Sequence, residues 1–264
     1  MLKKNYLLIF ASICLFYACN GNKKSASYQD TTDIDSPKIS TSTVKVTGDS
    51  LSITDAESLT KSIYDTVKNE PQFDNPTDTM TRDNAILKYL EDKSGKYYIY
   101  VVENRGPFAG VAVGWCDVFI FKKTAESWIL NDFTLNAGGG GMYGNSGSLE
   151  KLVKMGDDFT GIVLSAGQTH MGNNFSDDVV GFRNGKLVKG FSISTLHDYG
   201  DGAGDDYKLT VCESNKYHFE KNNKETYDLV IEKYNCLNGD KLIDSAVITY
   251  NNGYKIPDRF LFEG

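Results

Sequence analysis

From Lys96 onward the chain is built of short runs rich in Tyr, Val, Ile, Phe and Trp, separated by clusters of Gly, Asn and Asp. β-Branched and aromatic residues suit a pleated, half-buried surface, and the separating residues are those that turn corners. This texture predicts strands over 97–103, 112–121, 127–135, 159–166, 179–183, 187–193, 207–212, 227–234 and 246–250. Asn184-Gly185 and Asn252-Gly253 have the chemistry of hairpin turns that need positive φ. The expected fold is mainly β: a β-sandwich or partly closed antiparallel barrel with one N-terminal amphipathic helix. A β-propeller-like arrangement is the alternative. Asp-Asp pairs at Asp157, Asp177 and Asp205 precede three predicted strands at spacings of 20 and 28 residues. A propeller wants a steadier period of about 40 to 50 residues, so the pairs read as turn chemistry.

Ahead of this region, Thr54 and Glu57 have a capping-box spacing, and Leu59, Ile63 and Val67 follow at helical intervals. They predict the helix over 55–69, closed by Glu70 and Pro71. Ala85, Ile86, Tyr89 and Leu90 also have helical spacing, yet 84–90 equally suits a first strand.

The N-terminus has a different character. Lys3 and Lys4 precede an apolar run over 6–17, too short to span a bilayer as a helix, and small Ala18 stands before Cys19. That layout is a signal peptide. The stretch Leu15, Phe16, Tyr17, Ala18, Cys19 resembles the bacterial lipobox, although bulky Phe16 and Tyr17 depart from its commonest form. The resemblance implies cleavage before Cys19, lipidation of its thiol, and a membrane partner reached through that lipid anchor. In lipoproteins of this kind an Asp after the cysteine often marks inner-membrane retention, and Bacteroidota surface lipoproteins often carry acidic residues there. Here Asn20, Gly21, Asn22, Lys23 and Lys24 follow, which favours the periplasmic face of an outer membrane. The expected organisation is a signal peptide over 1–18, a lipidated cysteine and flexible linker over 19–50, and a β-rich domain over 51–264. Five tripeptides, beginning at Asp30, Asp49, Asp65, Asp78 and Asp244, resemble the O-glycosylation sequon of exported Bacteroidota proteins.

Residues 1–18 hold two lysines and no acid, so removing them takes the net charge from -7 to -9, and a nucleic-acid partner is not expected. Of the five cysteines, Cys14 leaves with the signal peptide and Cys19 is consumed by lipid. Cys212 and Cys236 are the favoured disulfide in an oxidising compartment, with both remaining free as the open alternative. Cys116, His170, His197 and His218 invite a cysteine-hydrolase reading. Cys116, however, lies within a β-patterned run rather than at a helix N-terminus that would lower its pKa, so a buried structural cysteine is expected.

Two loops stand out. Glycine dominates 138–147, without the lysine of a phosphate loop or a dinucleotide fingerprint, so a flexible connector or a binding loop is expected. Asp198, Asp201 and Asp205, with Asp206 and three interspersed glycines, could turn carboxylates toward a hard cation; calcium is the expected ion, though the spacing is not that of an EF-hand. No residues form a catalytic constellation. A binding or envelope-structural role is therefore expected, with an envelope protein or glycan as partner. The competing functions are an envelope hydrolase acting on cell-wall or glycan material and an accessory or immunity lipoprotein binding a secreted protein.

Overall fold

The computed structural model describes residues 45–67, 80–109, 112–169, 172–202, 206 and 208–262. The expected signal peptide, Cys19, most of the expected linker, His170 and Asp205 lie outside them.

After the short strand β1 (Val46–Thr47) and helix α1 (Ile53–Val67), the chain forms two antiparallel meanders. The first contains β2 (Thr81–Asp92), β3 (Gly95–Arg105), β4 (Trp115–Lys123) and β5 (Ser127–Gly138). The second contains β6 (Ser148–Gly156), β7 (Phe159–Thr169), β8 (Gly172–Arg183), β9 (Lys186–Asp201), β10 (Lys208–Glu220), β11 (Asp228–Asn235) and β12 (Lys241–Ile248). Sheet A is five-stranded in the order β1-β5-β4-β3-β2, and sheet B is seven-stranded, running from β12 to β6. The fold is mainly β, two antiparallel sheets packed as a sandwich or partial barrel, with one α-helix among the described residues.

Three apolar clusters define four layers. Tyr97, Ile99, Val101, Ile120, Ile162, Leu164 and Phe182 pack between the sheets. On the other face of sheet A, Ala56, Leu59 and Ile63 of α1 meet Tyr100, Val102, Phe119, Phe121 and Trp128. On the other face of sheet B, Val163, Val179, Phe191, Ile193, Leu229 and Ile231 are closed over by Tyr254, Phe260, Tyr250 and Ile256 from the C-terminal segment.

Because both faces of sheet A are covered, strand β2 needs apolar residues on both. Ala85 and Leu87 face the helix layer and Ile86 and Leu90 the inter-sheet layer. That double burial produces the spacing that imitates a helix, and the cross-strand pairs with β3 settle the segment as a strand. Strand β6 is absent from the sequence expectation. Leu149 and Leu152 face one core and Val153 and Met155 the other, and register shifts at Leu149/Lys151 and Lys154/Gly156 scramble its alternation.

Further expectations are corrected. The capping pair is Ser52 and Asp55, not Thr54 and Glu57, because the helix begins at Ile53, ahead of the expected start. The Asp55 amide donates to Ser52 Oγ at 3.2 Å, and the Ser52 amide donates to Asp55 Oδ2 at 3.1 Å. Asn184-Gly185 does form the β8–β9 hairpin. Asn252-Gly253 does not make a hairpin: β12 already ends at Ile248, and the bend turns the chain onto the open face of sheet B. Asp177 and Asp178 lie within β8 rather than in a turn.

The glycine-rich segment is the crossover from sheet A to sheet B, and it is packed. The Gly106 amide donates to the Gly144 carbonyl at 3.0 Å, Gly144 to Ala112 at 2.8 Å, and Gly114 to Asn145 at 3.2 Å. Gly144 has φ 73°, and a Cβ there would lie 2.3 Å from the Gly106 carbonyl oxygen. The glycines are thus required by close backbone approach rather than by flexibility.

Candidate ligand-binding site

The buried carboxylates come first, since they are where catalysis would be sought. Asp117 on β4 is buried and surrounded by donors. Tyr64 Oη donates to it at 2.7 Å, Asn104 Nδ2 at 2.8 Å and the Asn136 amide at 2.8 Å. Arg82 closes the ring of contacts, donating from Nε to Asn104 Oδ1 at 2.7 Å with its guanidinium 4.2 Å from the centre of the Tyr64 ring. Burial pushes the Asp117 pKa up, opposed by these donors and by Arg82. Sheet B has a counterpart: Asp177 accepts from Ser165 Oγ at 2.6 Å and Tyr217 Oη at 2.7 Å. Its neighbour Asp178 accepts from the Gly139 amide at 2.8 Å and from Ser192, and burial raises its pKa. These groups hold strands, helix and crossover together.

Cys116 donates from Sγ to the Ser146 carbonyl at 3.3 Å, and burial pushes its thiol pKa up, the reverse of what a nucleophile needs. His197 pairs with Asn174 and His218 with Glu220, not with Cys116. Cys212 and Cys236 form a disulfide between β10 and the end of β11, with Cα atoms 5.0 Å apart.

The first part of the expected acidic loop is strand. Asp198 and Asp201 belong to β9, which runs through Asp201, and Asp205 lies outside the described residues. Asp198 is already engaged by Asn173, whose amide reaches Oδ1 at 3.0 Å and whose Nδ2 reaches Oδ2 at 3.0 Å. Among the described residues no three His, Cys, Asp or Glu side chains gather as a metal group would require.

A depression of about 210 Å³ opens between the end of β7, the start of β8 and the middle of β9, lined by Gln168, Asn174, Phe175, Ser176, Ser194, Leu196 and Phe262. Its form depends on the C-terminal segment. Phe262 is seated by its amide, which donates to Ser194 Oγ at 3.1 Å, and Lys233 Nζ lies 5.0 Å from its ring centre. Beside it, buried Asn215 donates from Nδ2 to the carbonyls of Ser194 and Phe260, both at 2.7 Å, while its Oδ1 has no hydrogen-bond partner among the described residues. Phe175 lies over Gly167, where an added Cβ would come within 2.1 Å of the ring. His197, bonded to Asn174, packs against Tyr199 and Phe262 at the rim.

Sequence reasoning missed this site. Its residues come from three strands and the C-terminal segment, and none belongs to a motif. No known family matches the chain, and no curated protein or solved structure matches it either.

Proposed function

We propose that the chain is a lipid-anchored envelope protein, held through Cys19 at an outer membrane and facing the periplasm. Its β domain binds an uncharged polar ligand with an apolar face, of which an envelope glycan is the fitting class. The observation that carries this is the lining of the depression. Two phenylalanine rings stand among amide and hydroxyl groups, and none of the lining residues is charged. Apolar ring faces suit the C–H faces of a sugar, and neighbouring amides and hydroxyls suit its hydroxyls. A binder is favoured over a hydrolase because Asp117, Asp177 and Asp178 accept bonds that hold the fold. Calorimetric titration of the whole protein with neutral envelope oligosaccharides tests the ligand class. Phe175→Ala and Asn174→Ala should each weaken binding by about tenfold or more, equivalent to ~1.4 kcal/mol. Equal binding by the variants would exclude the depression. For the anchor, Cys19→Ala should abolish lipid labelling and release the chain from membranes; retention at high salt would refute lipidation as the means of attachment. Protease treatment of intact cells should leave the protein uncut if it faces the periplasm.

A further inference from the structure

At one end of sheet A two adjoining segments are free of charge, beside the Arg105–Glu103 ion pair that ends β3. Residues 106–114 and 137–147 contain no Asp, Glu, Lys, Arg or His, in a chain that is 24% charged. These two segments meet through the backbone bonds of Gly106, Gly114 and Gly144. On that base Phe108 is 88% exposed, its ring stacked on Tyr143 with centroids 5.3 Å apart, and Val113 and Tyr143 are exposed beside it. A phenylalanine so exposed on a tightly bonded base is an apolar group that the fold holds out in solvent, not part of a frayed loop.

We propose that this end enters the interfacial layer of the membrane to which the chain is tethered, with Phe108 and Tyr143 as the inserting groups. The proposal rests on the lipid anchor argued above. A bilayer is favoured over a protein partner by size. A stable protein interface takes about 20 to 30 residues a side, whereas this end presents a few apolar side chains. A bilayer needs no complementary surface, and the absence of charge from these two segments lowers the desolvation penalty that would oppose entry, while Arg105 at the end of β3 is paired with Glu103. Weak insertion suffices because a tethered domain meets its own membrane at high effective concentration. The tether reaches. Lys45, the first described residue, precedes β1, which pairs with the Ser127 end of β5, while the two uncharged segments lie beyond Gly138 at the other end of that strand. The 12 residues of β5 span about 40 Å or less, at ~3.4 Å each. Residues 20–45 fully extended reach about 90 Å. Entry is confined to interfacial depth, because irregular backbone is not tolerated facing hydrocarbon.

The test is fluorescence of the lipidated full chain on phosphatidylcholine vesicles, with and without brominated acyl chains. In Phe108→Trp, emission above the wild-type background should shift to shorter wavelength and be quenched by bromine. Tyr89→Trp, at an exposed position near the opposite end of the sheet, should show neither effect. If the added emission of Phe108→Trp is as solvent-exposed on vesicles as in solution, with the protein vesicle-bound, the proposal is overturned and the end is left for a protein partner. The same measurement on Cys19→Ala with Phe108→Trp, at high vesicle concentration, separates the two claims. Quenching there supports insertion whether or not the anchor stands, and its absence in both forms defeats insertion alone.

Discussion

Helix α1 and the C-terminal segment do the same job on opposite sides of the molecule, and they do it by different means. Each closes the outer face of a sheet over an aromatic core. The helix satisfies its interior backbone groups itself, so it takes from the sheet apolar contact, the Tyr64–Asp117 bond and the Arg82 guanidinium over the Tyr64 ring. The C-terminal segment has little regular structure, only a 3-10 turn at Asp258–Phe260, and borrows partners from sheet B. Asn215 takes the Phe260 carbonyl, Ser194 the Phe262 amide and Lys233 the Arg259 carbonyl at 3.1 Å, while Tyr254 Oη donates to the Tyr227 carbonyl at 2.7 Å. A cover of the first kind can loosen without disturbing most of its sheet's polar groups. One of the second kind cannot, because its departure strips partners from both sides.

The difference can be broken by substitution. Phe260→Ala removes a fully buried ring from the C-terminal cover and should destabilise the domain by about 3 to 5 kcal/mol, measured by denaturant unfolding. A loss under ~1 kcal/mol would mean that this segment is a loose flap. Next in size is the disulfide, whose partners are 24 residues apart in sequence; Cys212→Ser with Cys236→Ser should lose about 3 kcal/mol. That loss should appear in amide exchange of β10 and β11 and leave α1 protected. Tyr64→Phe, which keeps the helix's apolar contact and deletes one donor to Asp117, should lose about 1 to 2 kcal/mol. If it loses as much as Phe260→Ala, the two covers are not different in kind.

The smallest effect is in pH. Burial raises the Asp178 pKa, so the folded state holds this proton more tightly than the unfolded chain does. Its contribution is fully present below the ordinary carboxylate pKa of about 4 and is lost as pH rises through the raised value. Relative to Asp178→Asn, the wild type should therefore gain stability as pH falls from about 7 toward 4. Denaturant midpoints across that range check it, and a relative loss on acidification would reverse the sign.

The same contrast explains what was legible in the sequence. Leu59, Ile63 and Val67 announce α1 because an amphipathic helix has a single period. Most central strands were legible from their aromatic and β-branched runs, and Asn184-Gly185 from its turn chemistry. The cover formed by Tyr254, Ile256 and Phe260 has no period, since its residues are placed by packing onto one cluster drawn from several strands of sheet B and not by a repeat of their own. Asp177 and Asp178 resemble turn residues until the sheet supplies Ser165, Tyr217, Ser192 and Gly139 as partners. The depression was illegible for the same reason: Phe175 and Phe262 are 87 residues apart and meet only after the C-terminal segment is seated.

The most direct measurement is amide hydrogen exchange on Asn215→Ala, with the response to the neutral oligosaccharides recorded on the same protein. If the C-terminal segment is held by sheet B and in turn shapes the site, exchange over 254–262 should accelerate, α1 should keep its wild-type protection, and the ligand should no longer protect 174–176. Unchanged protection over 254–262, or an unchanged ligand response beside a loosened segment, would contradict the dependence of the site on its borrowed cover.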